Sequence, residues 1–153
     1  MVAGSGNDQQ LYGGNDADSL LGGVGSNQNL FGDAGNDTLA GGSGADQRLS
    51  SGLGNDSLVG GSGINQNINA GNGEDTLIGG AGNNATLIGN YGADSILGGS
   101  GIGQQLLGNF GNDTLVAGGG LNQFLAAGDD NDSLLGSAAA ESLDGGNGND
   151  TLN

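Results

Sequence analysis

From Ala3 to Asn153 the sequence repeats itself every 19 residues. A chain that repeats on this scale stacks copies of one small unit, each held mainly by its neighbours, rather than folding around one irregular core. Each period divides into a ten-residue and a nine-residue half. The ten-residue halves begin at Ala3, Gly22, Gly41, Gly60, Gly79, Gly98 and Ala117. The nine-residue halves begin at Gly13, Gly32, Ser51, Ala70, Gly89, Gly108, Ala127 and Gly145. The stretch 136–144 is a ten-residue half that has lost one residue, so the chain carries eight coils, seven of 19 residues and one of 18.

Each half is a glycine-rich turn followed by a short strand, as in GGSGINQNIN and then AGNGEDTLI. Near its end stands one Leu or Ile. In the ten-residue series these are Leu11, Leu30, Leu49, Ile68, Leu87, Leu106, Leu125 and Leu143; in the nine-residue series they are Leu20, Leu39, Leu58, Leu77, Ile96, Leu115, Leu134 and Leu152. No half can bury this Leu or Ile alone. Stacked coils can, because equivalent positions align ~4.8 Å apart along a solenoid axis. The pattern predicts an all-β fold: a parallel β-roll or β-solenoid, about 40 Å long, forming one domain over 1–153. The pattern fills the chain from Ala3 onward, which predicts uncapped ends. Helices do not survive a density of 38 Gly, nor does the hydrophobic period fit them. A collagen helix is excluded because Gly is not every third residue and Pro is absent.

Charge is the second constraint. One basic residue, Arg48, stands against 17 Asp and Glu, for a net charge of −16. Low hydrophobicity with such charge marks a disordered chain, unless bound cations remove the self-repulsion. Nucleic acid and anionic membranes are excluded as partners on the same ground. No stretch reaches transmembrane length, so membrane insertion is not expected. The first ten residues, MVAGSGNDQQ, lack the apolar core of a secretion signal. His and Cys are absent, so no disulfide forms and the usual catalytic bases and nucleophiles are missing. An enzyme is not expected.

The sixth position of the nine-residue halves is Asp in every coil: Asp18, Asp37, Asp56, Asp75, Asp94, Asp113, Asp132 and Asp150. Stacked at ~4.8 Å, eight carboxylates repel one another without counter-ions. Ca²⁺ takes six to eight oxygens in flexible geometry, whereas Mg²⁺ demands an octahedron and keeps waters. Two Asp of adjacent coils with several turn carbonyls meet the calcium requirement, and Gly lets those carbonyls turn inward. The eight Asp are therefore the candidate metal ligands, with about one Ca²⁺ per coil. An Asx-turn accounts for any one of them without a metal, but not for an unbroken column.

The halves resemble the nonapeptide GGxGxDxUx (U a large apolar residue) of the RTX calcium-binding β-roll family. Residues 145–153, GGNGNDTLN, match at every defined position; 32–40, GDAGNDTLA, and 108–116, GNFGNDTLV, match at all but the second Gly. The resemblance implies Ca²⁺ between turns of neighbouring coils, with carbonyls of the first and third loop positions completing each site. It also implies type I secretion, folding on extracellular calcium, and an extracellular or cell-surface location.

The ten-residue halves depart from that pattern. Their sixth position reads Asp8, Asn27, Asp46, Asn65, Asn84, Gly103, Asn122 and Glu141, followed by Gln9, Gln28, Gln47, Gln66, Ala85, Gln104, Gln123 and Ser142. Gln stands two before the inward Leu, so alternation turns it inward as well. Stacked Gln and Asn amides hydrogen-bond along a ladder. The expectation is one calcium edge and one amide edge, with Arg48 a solvated surface residue.

After each ladder Asp comes a hydroxyl that alternates Ser and Thr from Ser19 to Thr151. The last position of these halves forms an apolar column from Leu21 to Leu135. Uncapped ends with an unbroken ladder point to a structural protein: the subunit of an extracellular filament or matrix, self-associating head-to-tail. A calcium-dependent spacer module of a secreted RTX adhesin or toxin is the alternative. An ice-binding solenoid is a third, suggested by the hydroxyl column. It lacks the TGND-type motif of ice-binding relatives, since Ala34, Leu53, Asn72, Tyr91 or Phe110 precedes the loop Gly.

Overall fold

The computed structural model describes residues 1–139 and 141–153. Residue 140, inside the shortened half, lies outside the described residues. The strands in chain order are β1 (Gln10–Gly14), β2 (Ser19–Leu21), β3 (Asn29–Ala34), β4 (Thr38–Ala40), β5 (Arg48–Leu53), β6 (Ser57–Val59), β7 (Asn67–Asn72) and β8 (Thr76–Ile78). They continue as β9 (Thr86–Tyr91), β10 (Ser95–Leu97), β11 (Gln105–Phe110), β12 (Thr114–Val116), β13 (Gln123–Asp129), β14 (Ser133–Leu135), β15 (Glu141–Asn147) and β16 (Thr151–Leu152). Odd strands form one eight-stranded parallel sheet and even strands another. The chain crosses from sheet to sheet at every turn and advances one rung per coil, giving the predicted eight-coil solenoid.

Register follows the repeat. Leu11 pairs with Leu30 and Leu20 with Leu39, each 19 residues on. In the last coil the step is 18, with Leu125 opposite Leu143 and Leu134 opposite Leu152. From Leu20 to Leu134 the Leu and Ile columns are fully buried and pack between the sheets as one core. Each such side chain contributes about 1.5–3 kcal/mol by leaving water. Leu11 and Leu143 are only partly buried, and Leu152 is 47% exposed.

Odd strands are longer because they turn the acidic corner. Their inward positions are the Leu or Ile and then the first residue of the next half, where Ser51, Ala70 and Ala127 are fully buried. The following position has a left-handed backbone, with φ of 109° at Gly52 but also 73° at Asp33 and 83° at Asn109. Asp and Asn tolerate that region better than other side chains. This explains why the second Gly is dispensable in the 32–40 and 108–116 repeats.

The sixth position of the ten-residue halves is a turn residue. Asp8, Asn27, Asp46, Asn65, Asn84 and Asn122 have φ of 56–58°, so Asn, Asp or Gly is selected by backbone conformation. In the last coil, Glu141 stands opposite Gln123 and Ser142 opposite Phe124. The missing residue lies before Glu141, so Glu141 and not Ser142 continues the Gln column.

Candidate metal centre

Short strands β2 to β16 are each preceded by a ladder Asp, and the two-residue spacing to the inward Leu turns its carboxylate inward. The eight Asp stand in one column. Asp37, Asp56, Asp75, Asp94, Asp113 and Asp132 are only 1–3% exposed, while Asp18 and Asp150 in the end coils are half-buried. Each carboxylate from Asp37 onward accepts the backbone N–H of the Asp one coil earlier. The Oδ1 atoms of Asp37, Asp56 and Asp75 lie 2.8, 2.7 and 2.7 Å from the nitrogens of Asp18, Asp37 and Asp56. The series continues to Asp150 Oδ1, 3.0 Å from the Asp132 nitrogen.

That bond uses one oxygen. The Oδ2 atoms of Asp37, Asp56, Asp75, Asp94, Asp113 and Asp132 are buried without a hydrogen-bond partner. Burial raises the carboxyl pKa to about 6 in Asp75, about 7 in Asp94 and about 6 in Asp113. The backbone N–H of the preceding Asp opposes this shift and neighbouring carboxylates add to it. Asp37 and Asp132 are raised for the same reasons. A row of buried anionic oxygens with no donor is high in energy until a cation reaches it.

The donor set fits calcium. No nitrogen or sulfur ligand exists in a chain without His or Cys, which leaves hard oxygens. Among the described residues no group of three or more acidic side chains converges, so backbone carbonyls must supply most ligands. One set is in place. Beside Gly32, the point where a Cβ would stand lies 2.3 Å from Asp37 Oδ2 and 2.8 Å from the Ser51 carbonyl oxygen. At Gly89 the distances are 2.2 Å to Asp94 Oδ2 and 3.0 Å to the Gly108 oxygen; at Gly108 they are 2.2 Å to Asp113 Oδ2 and 2.5 Å to the Ala127 oxygen. The absent side chain leaves an oxygen-lined cradle between coils. Ser51, Ala70 and Ala127 place a real Cβ there, and Ser51 Oγ donates to the Ala70 oxygen at 2.9 Å.

The opposite edge holds buried amides, as alternation predicts. Gln28, Gln47, Gln66, Gln104 and Gln123 are buried. Gln47 Oε1 accepts from the Gly42 nitrogen at 2.7 Å and from Gln66 Nε2 at 3.1 Å, while its own Nε2 donates to Gln28 Oε1 at 3.1 Å and to the Gly23 oxygen at 3.2 Å. Gln47 thereby fills the corner and joins three coils. Ala85 interrupts the column, and Gln104 Nε2 donates to the Gly80 and Gly82 oxygens instead. Asn27 and Asn65 still form an outer amide rail, donating to Asp8 and Asp46 at 3.0 Å. A further rail escaped the sequence reading. Asn36 and Asn55 accept from the nitrogens of Asn55 and Glu74, and Asn112 and Asn131 from those of Asn131 and Asn149, at 2.9–3.0 Å. Its signal was the recurrent Asn just before the ladder Asp.

The family model of the RTX calcium-binding nonapeptide repeat matches residues 1–28, 29–47, 50–85, 69–104, 105–124 and 117–152. Neither a curated protein nor a solved structure matches the chain.

Proposed function

Because the chain belongs to the family of RTX calcium-binding nonapeptide repeats, we propose that it is a structural module of a secreted protein, rigidified outside the cell by a row of Ca²⁺ ions. Repeats of this family bind Ca²⁺, about one ion per repeat, and calcium is the cofactor. The residues assigned to hold it are Asp18, Asp37, Asp56, Asp75, Asp94, Asp113, Asp132 and Asp150, with carbonyl oxygens of the first loop position. The observation that carries the assignment is the column of buried Oδ2 atoms without partners. Calcium supplies neutralisation and cross-linking here: it joins consecutive coils and cancels most of the charge of −16. Its binding free energy is then folding free energy.

Titrating calcium into chelator-treated protein tests this, followed by circular dichroism and calorimetry. A higher unfolding temperature with about one ion bound per coil is the expected result. A chain that takes up no calcium at millimolar concentration overturns it.

The finer reading is a filament or matrix subunit assembled head-to-tail. The register supports it. Every coil offers the next the same backbone groups and the same Leu or Ile columns, and an end coil leaves Leu152 47% exposed. A contact of this kind repeats without closing. Further coils of a longer chain would serve the same edges, and the module would then be a calcium-dependent spacer of a secreted adhesin or toxin. Electron microscopy in millimolar calcium separates the two. Fibres that dissolve with EGTA support the filament; compact single particles at every concentration remove it.

A further inference from the structure

Charge is unevenly spread over this surface. Strands β2, β4, β6, β8, β10, β12, β14 and β16 contain no Asp, Glu, Lys or Arg, in a chain with 17 acidic residues. The odd strands carry Asp33, Arg48, Asp129, Glu141 and Asp144. Outward from the even sheet stand only the Ser/Thr column and, two residues on, the apolar column. Leu21, Ile78, Leu97 and Leu135 are 44%, 36%, 41% and 47% exposed, with smaller Ala40, Val59 and Val116 between them half-buried. The column runs straight in register for about 29 Å at ~4.8 Å per rung. Strand propensity explains each Leu or Val singly. It does not explain why the whole face lacks charge, which is the depletion found at the centre of interfaces.

We propose that this face is a lateral interface between two copies of the chain, packed sheet on sheet about a two-fold axis. Three features select a second copy. Side chains spaced at ~4.8 Å interdigitate best with a surface of the same pitch, and another even sheet has it. A column of equivalent residues is self-complementary under a two-fold rotation. An acidic molecule meets its own copy with least repulsion through the one sheet that bears no charge. The face is narrow. Two columns over about 29 Å bury well under the ~800 Å² per partner of a standard interface, so the dimer is weak and concentration-dependent. Calcium strengthens it by lowering net charge, a point that rests on the calcium reading; the face itself does not.

Sedimentation velocity of the full chain in millimolar calcium, over a hundredfold range of concentration, tests the proposal with Leu97→Glu and Ile78→Thr beside the parent. Both positions point outward, so the inward Ile96 and Leu77 stay in place and the β-structure in calcium stays at parent level. The expected result is a monomer–dimer equilibrium weakened at least tenfold by Leu97→Glu and less by Ile78→Thr. Monomers at every concentration overturn it, as does association that both variants leave unchanged, which would belong to the coil ends. Monomers whose thermal hysteresis is lost in Leu97→Glu would assign the face to ice and overturn it too. A folded chain indifferent to calcium would sink the calcium reading alone, and its dimerisation at high salt would still decide this one.

Discussion

The backbone N–H of Asp94 donates to Oδ1 of Asp113 at 2.8 Å, while Oδ2 of Asp113 is buried with no donor in reach. The same relation recurs coil after coil. One carboxylate oxygen is spent on holding neighbouring coils in register, and the other is left facing a carbonyl. The ladder is thus satisfied as a hydrogen-bond array and unsatisfied as a charge array, and the pH and metal responses follow from that division.

Without calcium the chain gains stability in acid. The folded pKa is about 7 for Asp94 and about 6 for Asp75 and Asp113, above the ~3.9 of an unfolded Asp. The folded state therefore keeps protons that the unfolded state has released. Its stability is fully present below about pH 4 and falls as pH rises toward 7. Urea midpoints in chelator are expected to be higher at about pH 4.5 than at about pH 7.5. Calcium affinity runs the other way across the same window, because the metal takes the deprotonated carboxylate. A urea midpoint that rises with pH in chelator would contradict the buried ladder.

Asp113→Asn separates the two roles of one carboxylate. The amide oxygen still accepts the Asp94 N–H, and the buried charge is gone. In chelator at neutral pH the variant is expected to gain about 1 kcal/mol. In calcium it loses a ligand. The loss is about 3 kcal/mol where free calcium stood a hundredfold above the site's Kd. Denaturant titrations in the two conditions should give shifts of opposite sign.

The amide edge responds differently. Gln47→Leu keeps volume but leaves the Gly42 N–H and its Gln neighbours without their partner. It is expected to cost about 2–3 kcal/mol. Ala85→Gln restores the missing rung and is expected to add about 1 kcal/mol. No ion is needed at this edge, so both shifts should appear equally in calcium and in chelator by chemical denaturation.

Much of this architecture was legible in the sequence because one position near the end of every half is Leu or Ile in all sixteen halves. That invariant position marks the core column, and alternation from it fixes which way Gln47 and Asp37 point. At the sixth position of the ten-residue halves Asn and Asp serve two physical purposes, and the sequence showed only the amide stacking. Asn27 and Asn65 stand at φ of 57° and 56°, so backbone geometry selects them first and their amide bonds come second. Glu141 was misplaced by one residue because a deletion inside a repeat leaves no mark of where it fell; only pairing with Gln123 locates it.

Gly108→Ala tests the cradle rather than the fold. The added Cβ would stand 2.2 Å from Asp113 Oδ2 and 2.5 Å from the Ala127 oxygen. One of these oxygens must move. Ala70 and Ala127 already occupy equivalent places in other coils, so the backbone accepts Ala in this column and φ here needs no glycine. The change should therefore cost little in chelator, about 1 kcal/mol or less. It should weaken calcium at this rung about tenfold, because the space between carboxylate and carbonyl has been filled. Calorimetric titration would show one site moving from the tight class, at rungs with Gly in this column, to the weaker class already formed at Ser51, Ala70 and Ala127. Unchanged titration curves would mean that the cation sits elsewhere along the ladder, held by the same Asp113 but by other carbonyls.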